Sequence, residues 1–411
     1  VTSIGFLAFF RCTSLTSIDI PDSVTGIEAN AFQDCSDLTS VNIGSGLINM
    51  EYNPFVLCPS LENISVAENN PNFTAESNVL FSKNKTKLIK AAEQGVSGTY
   101  IIPNSVTSIG ESAFSGCTDL TGITIPNSVM SIGTYAFSNC TSLNSVIIPD
   151  GITDICEGTF SGCTGLTSIT IPDSITSSGF NAFFDCGEIK EVYITDIVAW
   201  CNVSFYWTTS NPLYNGANLY LNGELVENLV IPDGVTIINY FAFNNYKNLT
   251  SITIPSSITS IGGSAFSGCI GLKDVHYNGS FESFTKISIS SGNEKFNNAT
   301  LYCEGIEIKE HGKCGETLIW ILYGNGKLSI SGTGEMKYND NSWLPYAPWY
   351  NSRNSITSVE IDSGVTSIMR GAFYECRNLI SITIPASVTN IGDNYLVFEN
   401  CNSLTEINVD E

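Results

Sequence analysis

Histidine is almost missing from this chain: His276 and His311 are the only two in 411 residues. A His-based catalytic triad or a multi-histidine metal site therefore has next to no material. Cations are scarce too. Seventeen Lys and Arg stand against 40 Asp and Glu, for a formal net charge of −23. Phosphate polymers and anionic bilayers need Lys and Arg to neutralise them, so nucleic acid and anionic membrane are excluded as expected partners. No apolar run reaches the ~18 residues of a spanning helix, so no membrane insertion is expected within this chain. G-x-S-x-G, P-loop, G-x-G-x-x-G, H-E-x-x-H and EF-hand patterns are all missing. Two carboxylates would suffice for a glycosidase, but nothing marks such a pair. The chain is thus read as a non-enzyme with no catalytic residue, no cofactor and no metal.

What is abundant is Ser, Thr, Asn and Gly, arranged in a repeat. Residues 105–126 read SVTSIGESAFSGCTDLTGITIP, residues 128–149 SVMSIGTYAFSNCTSLNSVIIP, and residues 151–172 GITDICEGTFSGCTGLTSITIP. The Phe of the A-F step marks the frame: Phe9, Phe32 and Phe55; Phe114, Phe137, Phe160 and Phe183; Phe243 and Phe266; Phe373 and Phe398. Steps within a block are 23 residues, except a last step of 25. Fixed-period self-similarity is the mark of a repeat architecture. One unit cannot bury its own apolar positions. Leu120, Ile123 and Ile125 are expected to point inward from a short strand that Pro126 ends. Ile109–Gly110 is expected to turn the chain, and Ala113–Phe114 to pack back inside. Stacked units would join these positions into one continuous core.

The SVTSIG–AF–C–LTSITIP frame resembles the BspA-like leucine-rich repeats of bacterial and some protist surface proteins. It departs from common leucine-rich repeats in having Ser, as at Ser128, where Asn or Cys is usual. The resemblance implies a mostly β fold: a leucine-rich-repeat solenoid of 23-residue coils with β-hairpin and irregular insertions. The expected layout is a solenoid over 1–302, interrupted at 68–98 and 195–226 and closed by 278–302. A linker at 303–313, a β-hairpin cap at 314–354 and a second array at 355–411 follow. The resemblance also implies a cell-surface or secreted location and a role in adhesion. The chain opens inside a repeat and stops after a strand-like segment. We therefore expect it to be a fragment whose signal and anchor segments lie elsewhere.

Ten of the 14 cysteines hold one register of the repeat. Their spacing admits disulfides between neighbouring coils, but pairing would strand members of the first block, and Tyr246 occupies the register beside Cys269. A ladder of reduced, buried thiols is the expectation. Cys303, Cys314 and His311 raise the question of zinc, but the short Cys spacing and a fourth ligand are missing.

The insertions carry the individuality. Residues 68–98 read as a hairpin in which Lys83, Lys85, Lys87 and Lys90 form a basic spot. Residues 195–226 and 278–302 share a frame: an apolar helix-like turn first, then A-x-L-Y at the closing strand. All five Trp (200, 207, 320, 343 and 349) lie in the breaks. They serve either as binding anchors or as small local cores. One outward strand position per coil gives a mostly small, polar row, broken by Ile147, Tyr193 and Val230. An exposed apolar strip on such a face marks a partner site. The expected partner-binding residues are Ile147, Thr170, Tyr193, Trp200, Phe205, Tyr206, Trp207, Tyr214 and Val230. The expected partner is an extracellular or host-cell protein. The alternatives are a glycan stacked on Trp207 and Trp349, or a passive spacer that carries other domains.

Overall fold

Each 23-residue unit winds one coil and gives one strand to each of two parallel sheets. Strand Ser145–Ile147 pairs with Ser168–Thr170, residue i with residue i+23, and Asp154–Ile155 pairs with Ser177–Ser178 in the same step. This computed structural model describes residues 1–50, 52–337, 347–392 and 396–410. The chain is mostly β. The second sheet corrects one expectation. Ser108–Ile109 is itself a strand, paired with Ser131–Ile132 on one side and Lys87–Leu88 on the other. The turn begins only at Gly110, whose carbonyl accepts from Ala113 N–H. A two-residue strand has no periodicity to read, so the repeat hides it.

Alternation decides what each coil buries. Val146 and Ile148 point into the core, while Ser145 and Ile147 face out. The repeated Phe rings stack from coil to coil, with Phe114, Phe137, Phe160 and Phe183 at centroid spacings of 5.3, 5.6 and 5.6 Å. The turn before each repeat cysteine takes a left-handed residue. Gly116, Asn139, Gly162 and Asp185 have φ of 80°, 57°, 75° and 58°, which explains the preference for Gly, Asn and Asp at that step.

The polar composition has a structural use. Thr167 and Thr176 donate their hydroxyls to the carbonyls of Asn144 and Thr153, one coil back. Ser128 donates to Val106 at 2.7 Å, and Ser257 and Ser387 repeat the bond to Val235 and Val365. Serine therefore supplies, at the step where common leucine-rich repeats carry Asn or Cys, a donor that satisfies a buried carbonyl. The thiols form a third ladder. Cys140, Cys163, Cys186 and Cys269 donate to the carbonyls of Phe114, Phe137, Phe160 and Phe243 at 2.9 to 3.1 Å. All 14 cysteines are free. Tyr246, in the cysteine register, points its hydroxyl at the carbonyls of Val226 and Leu219 instead.

The chain divides into two compact units, Val1–Leu272 with Lys286–Asn298, and Lys273–Thr285 with Ala299–Glu411. In the first, the segment 68–98 is a hairpin as expected, but it also continues the winding. Strand Val79–Ser82 is antiparallel to both Phe73–Glu76 and Lys87–Ala91, and the last joins the parallel sheet through Ser108–Ile109. The basic spot is smaller than the sequence implied. Lys85 pairs with Glu76, and Lys90 is fully buried against Glu93.

In the second unit, Ile306–Lys313 is a strand, antiparallel to Thr300–Cys303 and to Ile319–Tyr323. Most of the stretch expected as a linker is therefore hydrogen-bonded sheet. Ile319–Tyr323 and Lys327–Ser331 form the expected hairpin, and Ser358–Ile361, Ser381–Ile384 and Glu406–Val409 extend it in parallel. Trp320, Trp349 and Phe373 lie in its core. Trp343 lies outside the described residues.

Candidate functional site

The expected partner-binding residues separate into buried and exposed sets. Trp200 and Phe205 are core. The helix Ile197–Asn202 is capped by Asp196, whose carboxylate accepts from Val198 N–H, and it turns Trp200 inward. The indole N–H of Trp200 donates to the Ala242 carbonyl at 2.9 Å. In an ordinary coil that alanine carbonyl accepts from the backbone of the preceding Phe, as Ala136 does from Phe114. Trp349 does the same for Ala372, also at 2.9 Å. Each Trp thus supplies a donor to the alanine carbonyl where a new block of coils begins, with Asn211 as a second donor to Ala242. Neither has a face to offer a ligand, which removes Trp349 from the glycan expectation and Trp200 and Phe205 from the partner surface.

The exposed residues fall on separate sheets. Ile147, Thr170 and Tyr193 stand in one row, in register across strands Ser145–Ile147, Ser168–Thr170 and Glu191–Ile194. The row continues into Tyr220 of Asn218–Leu221, which the sequence reading missed. The two tyrosine rings stack at 5.0 Å. The Tyr193 hydroxyl donates to Glu191, and that bond raises its pKa. Val230 does not belong to this row. The antiparallel turn from Asn218–Leu221 into Glu224–Leu225 ends that sheet, and Val230 pairs with Thr253 in another. The signal for Tyr220 was in the A-x-L-Y ending of the insertion. The second such ending behaves alike, placing Tyr302 on His276 at 4.6 Å.

Tyr206 and Trp207 follow the strand Ser204–Phe205 of the short-strand sheet, 67% and 56% exposed. Phe180, at the matching place after Ser177–Ser178, meets Trp207 edge-on at 6.4 Å. Tyr206 and Tyr240 line a shallow cavity of about 290 Å³. Phe180 and Tyr240 were also missed, because in neighbouring coils their step holds Glu111, Thr134 and Glu157, and only pairing across coils brings Phe180 onto Trp207. Tyr214 is half-buried, its carbonyl taken by Asn245.

Among the described residues, no group of three or more His, Cys, Asp or Glu is placed to hold a metal ion. Cys303 and Cys314 are buried, and burial pushes each thiol up to about 12. His311 packs its ring on Phe281 at 4.6 Å. Among the described residues no helix is long and apolar enough to cross a membrane.

The family described as BspA type leucine rich repeat region matches in six copies, over residues 1–95, 97–211, 216–311 and 347–411. No curated protein matches. Several solved structures are similar. A leucine-rich repeat protein from Eubacterium ventriosum is 22% identical, with a TM-score of 0.48, over 65% of this chain and 80% of its own. One from Bacteroides ovatus is 24% identical, with a TM-score of 0.37, over 99% and 82%. A leucine rich cell surface protein from Faecalibacterium prausnitzii is 24% identical, with a TM-score of 0.32, over 100% and 83%.

Proposed function

Because this chain belongs to the BspA-type leucine-rich repeat proteins, we propose that it is a non-catalytic, adhesin-like interaction protein of the cell surface or extracellular space. Its partner is an extracellular or host-cell protein. The observation that carries this reading is the exposed aromatic cluster of Phe180, Tyr206, Trp207 and Tyr240. Large rings exposed side by side on a surface mark an interaction site. Aromatic anchors of this kind dominate protein interfaces. The row Ile147–Thr170–Tyr193–Tyr220 is a second contact surface on the other sheet.

The test is binding of the purified chain to immobilised extracellular proteins, with Tyr206→Ala/Trp207→Ala and Tyr193→Ala beside it. These side chains are exposed or half-buried, so the variants keep the wild-type melting temperature. Saturable protein binding that weakens tenfold or more in the double variant is the expected result. Binding unchanged in both variants overturns the assignment. No binding by any form leaves the array as a spacer.

A further inference from the structure

The exposed rings of the first unit continue from coil to coil as a track. Tyr135, 38% exposed, lies across Gly158 of the next coil, where any Cβ would strike the ring. Phe180 follows one coil on and meets Trp207 edge-on. Tyr206 shares a cavity with Tyr240, which in turn packs on Gly263. Backbone bonds join the coils beneath the rings. Tyr135 N–H donates to the Glu157 carbonyl, Gly158 N–H to that of Phe180, and Tyr206 N–H to that of Ser178. Each coil offers one such step, so the track is narrow and runs across the strands. From Tyr135 to Trp207 it covers about 14 Å, at the strand spacing of ~4.8 Å per coil. That is the reach of about four or five extended residues.

The charge along this track has one sign. Glu157 is exposed between Tyr135 and Phe180, and one of its oxygens takes the Tyr135 hydroxyl at 2.7 Å. That bond raises the pKa of Tyr135, and the charge of exposed Glu111 adds to it. Residues 91–246 carry 14 Asp and Glu against one base, Lys190. Lys190 lies beside Glu188 at 3.5 Å, at the head of strand Glu191–Ile194 in the other sheet. Among the described residues Glu157 has no ion pair. A cation over an aromatic face is attracted by the ring, and a nearby carboxylate strengthens the attraction. A guanidinium stacks flat on a ring and still reaches a carboxylate. An acidic occupant would be repelled, and a neutral apolar one would cover Glu157 without supplying a counter-charge. Resting on the assignment of this surface to protein binding, we propose that the track takes an extended, arginine-rich segment of the partner. Its guanidinium groups lie on Phe180, Tyr206 and Trp207 and pair with Glu157.

The test is calorimetry on the whole chain with a short peptide of alternating Arg and Thr, and with the same peptide carrying Lys, Gln or Glu in place of Arg. Saturable binding of the Arg peptide is expected, weaker binding of the Lys peptide, and none of the Gln or Glu peptides. Tyr206→Ala/Trp207→Ala weakens the Arg peptide about tenfold. Glu157→Gln weakens it about threefold, as the loss of an exposed ion pair does. Glu224→Gln, which removes an exposed carboxylate on the other sheet, leaves it unchanged. The substituted side chains are all exposed, so each variant keeps the wild-type melting temperature. Arg and Gln peptides bound alike, equal losses in Glu157→Gln and Glu224→Gln, or Arg-peptide binding that survives the double aromatic variant overturns the proposal. So does a whole protein that binds through Trp207 while the Arg peptide does not bind, and the aromatic surface then still stands as a protein-binding site. If neither peptide nor protein binds, both assignments fall.

Discussion

At the scale of single residues, a side-chain donor of the right length recurs once per coil at each of three steps. Cys163 shows the consequence. Its thiol is buried and bonded to the Phe137 carbonyl at 3.0 Å. Cys163→Ala removes that bond, leaving the carbonyl with Cys140 N–H alone, and opens a small void, so a loss of about 1–2 kcal/mol in urea unfolding is expected. Buried thiols also make stability pH-dependent. In the fold Cys58, Cys117 and Cys269 are pushed up to about 12, chiefly by desolvation. An unfolded thiol loses its proton near about 8.5. Between those values the unfolded chain releases protons that the folded chain keeps, so unfolding is favoured as pH rises. The thiol contribution is complete at pH 7 and is lost on going towards pH 11. Melting temperatures flat near pH 7 and falling steadily above pH 9 would bear this out. A thiol reagent at pH 8 should label exposed Cys12 long before buried Cys163.

At the scale of elements, the insertion 195–226 does two jobs with two tryptophans seven residues apart. Trp200 closes the Ala242 carbonyl and fills the core, whereas Trp207 lies against Phe180 in solvent. Trp200→Ala should cost about 3–5 kcal/mol, as large core truncations do. Trp207→Ala should change stability by no more than about 0.5 kcal/mol. Paired denaturant titrations decide it. Equal losses would mean that Trp207 is also structural and would remove the aromatic surface from the binding proposal.

At the scale of the whole molecule, charge is the dominant asymmetry. Forty acids and 17 bases leave few ion pairs to form, and most of those described are exposed and worth little. Self-repulsion should therefore limit stability at low ionic strength. Raising salt to about 0.5 M shortens the screening length to a few ångströms and should raise the melting temperature. A melting temperature that falls with added salt would contradict this. The same field selects partners, so a protein bound at the aromatic surface should present basic residues and dissociate faster as salt rises.

The period, the mostly β winding, the inward Phe, Leu and Ile positions and the hairpins at 79–91 and 319–331 were legible in the chain, because each depends on neighbours a fixed number of residues away. The second sheet was not, since Ser108–Ile109 is too short to show alternation. Nor could local pattern separate Trp200 from Trp207, place Tyr220 on Tyr193, or bury Lys90 beside Glu93. Those outcomes depend on which groups meet across coils, often at an insertion where the 23-residue register is broken. A repeat dictates its own winding. Where the repeat is interrupted, only tertiary packing decides which side chains are left facing water.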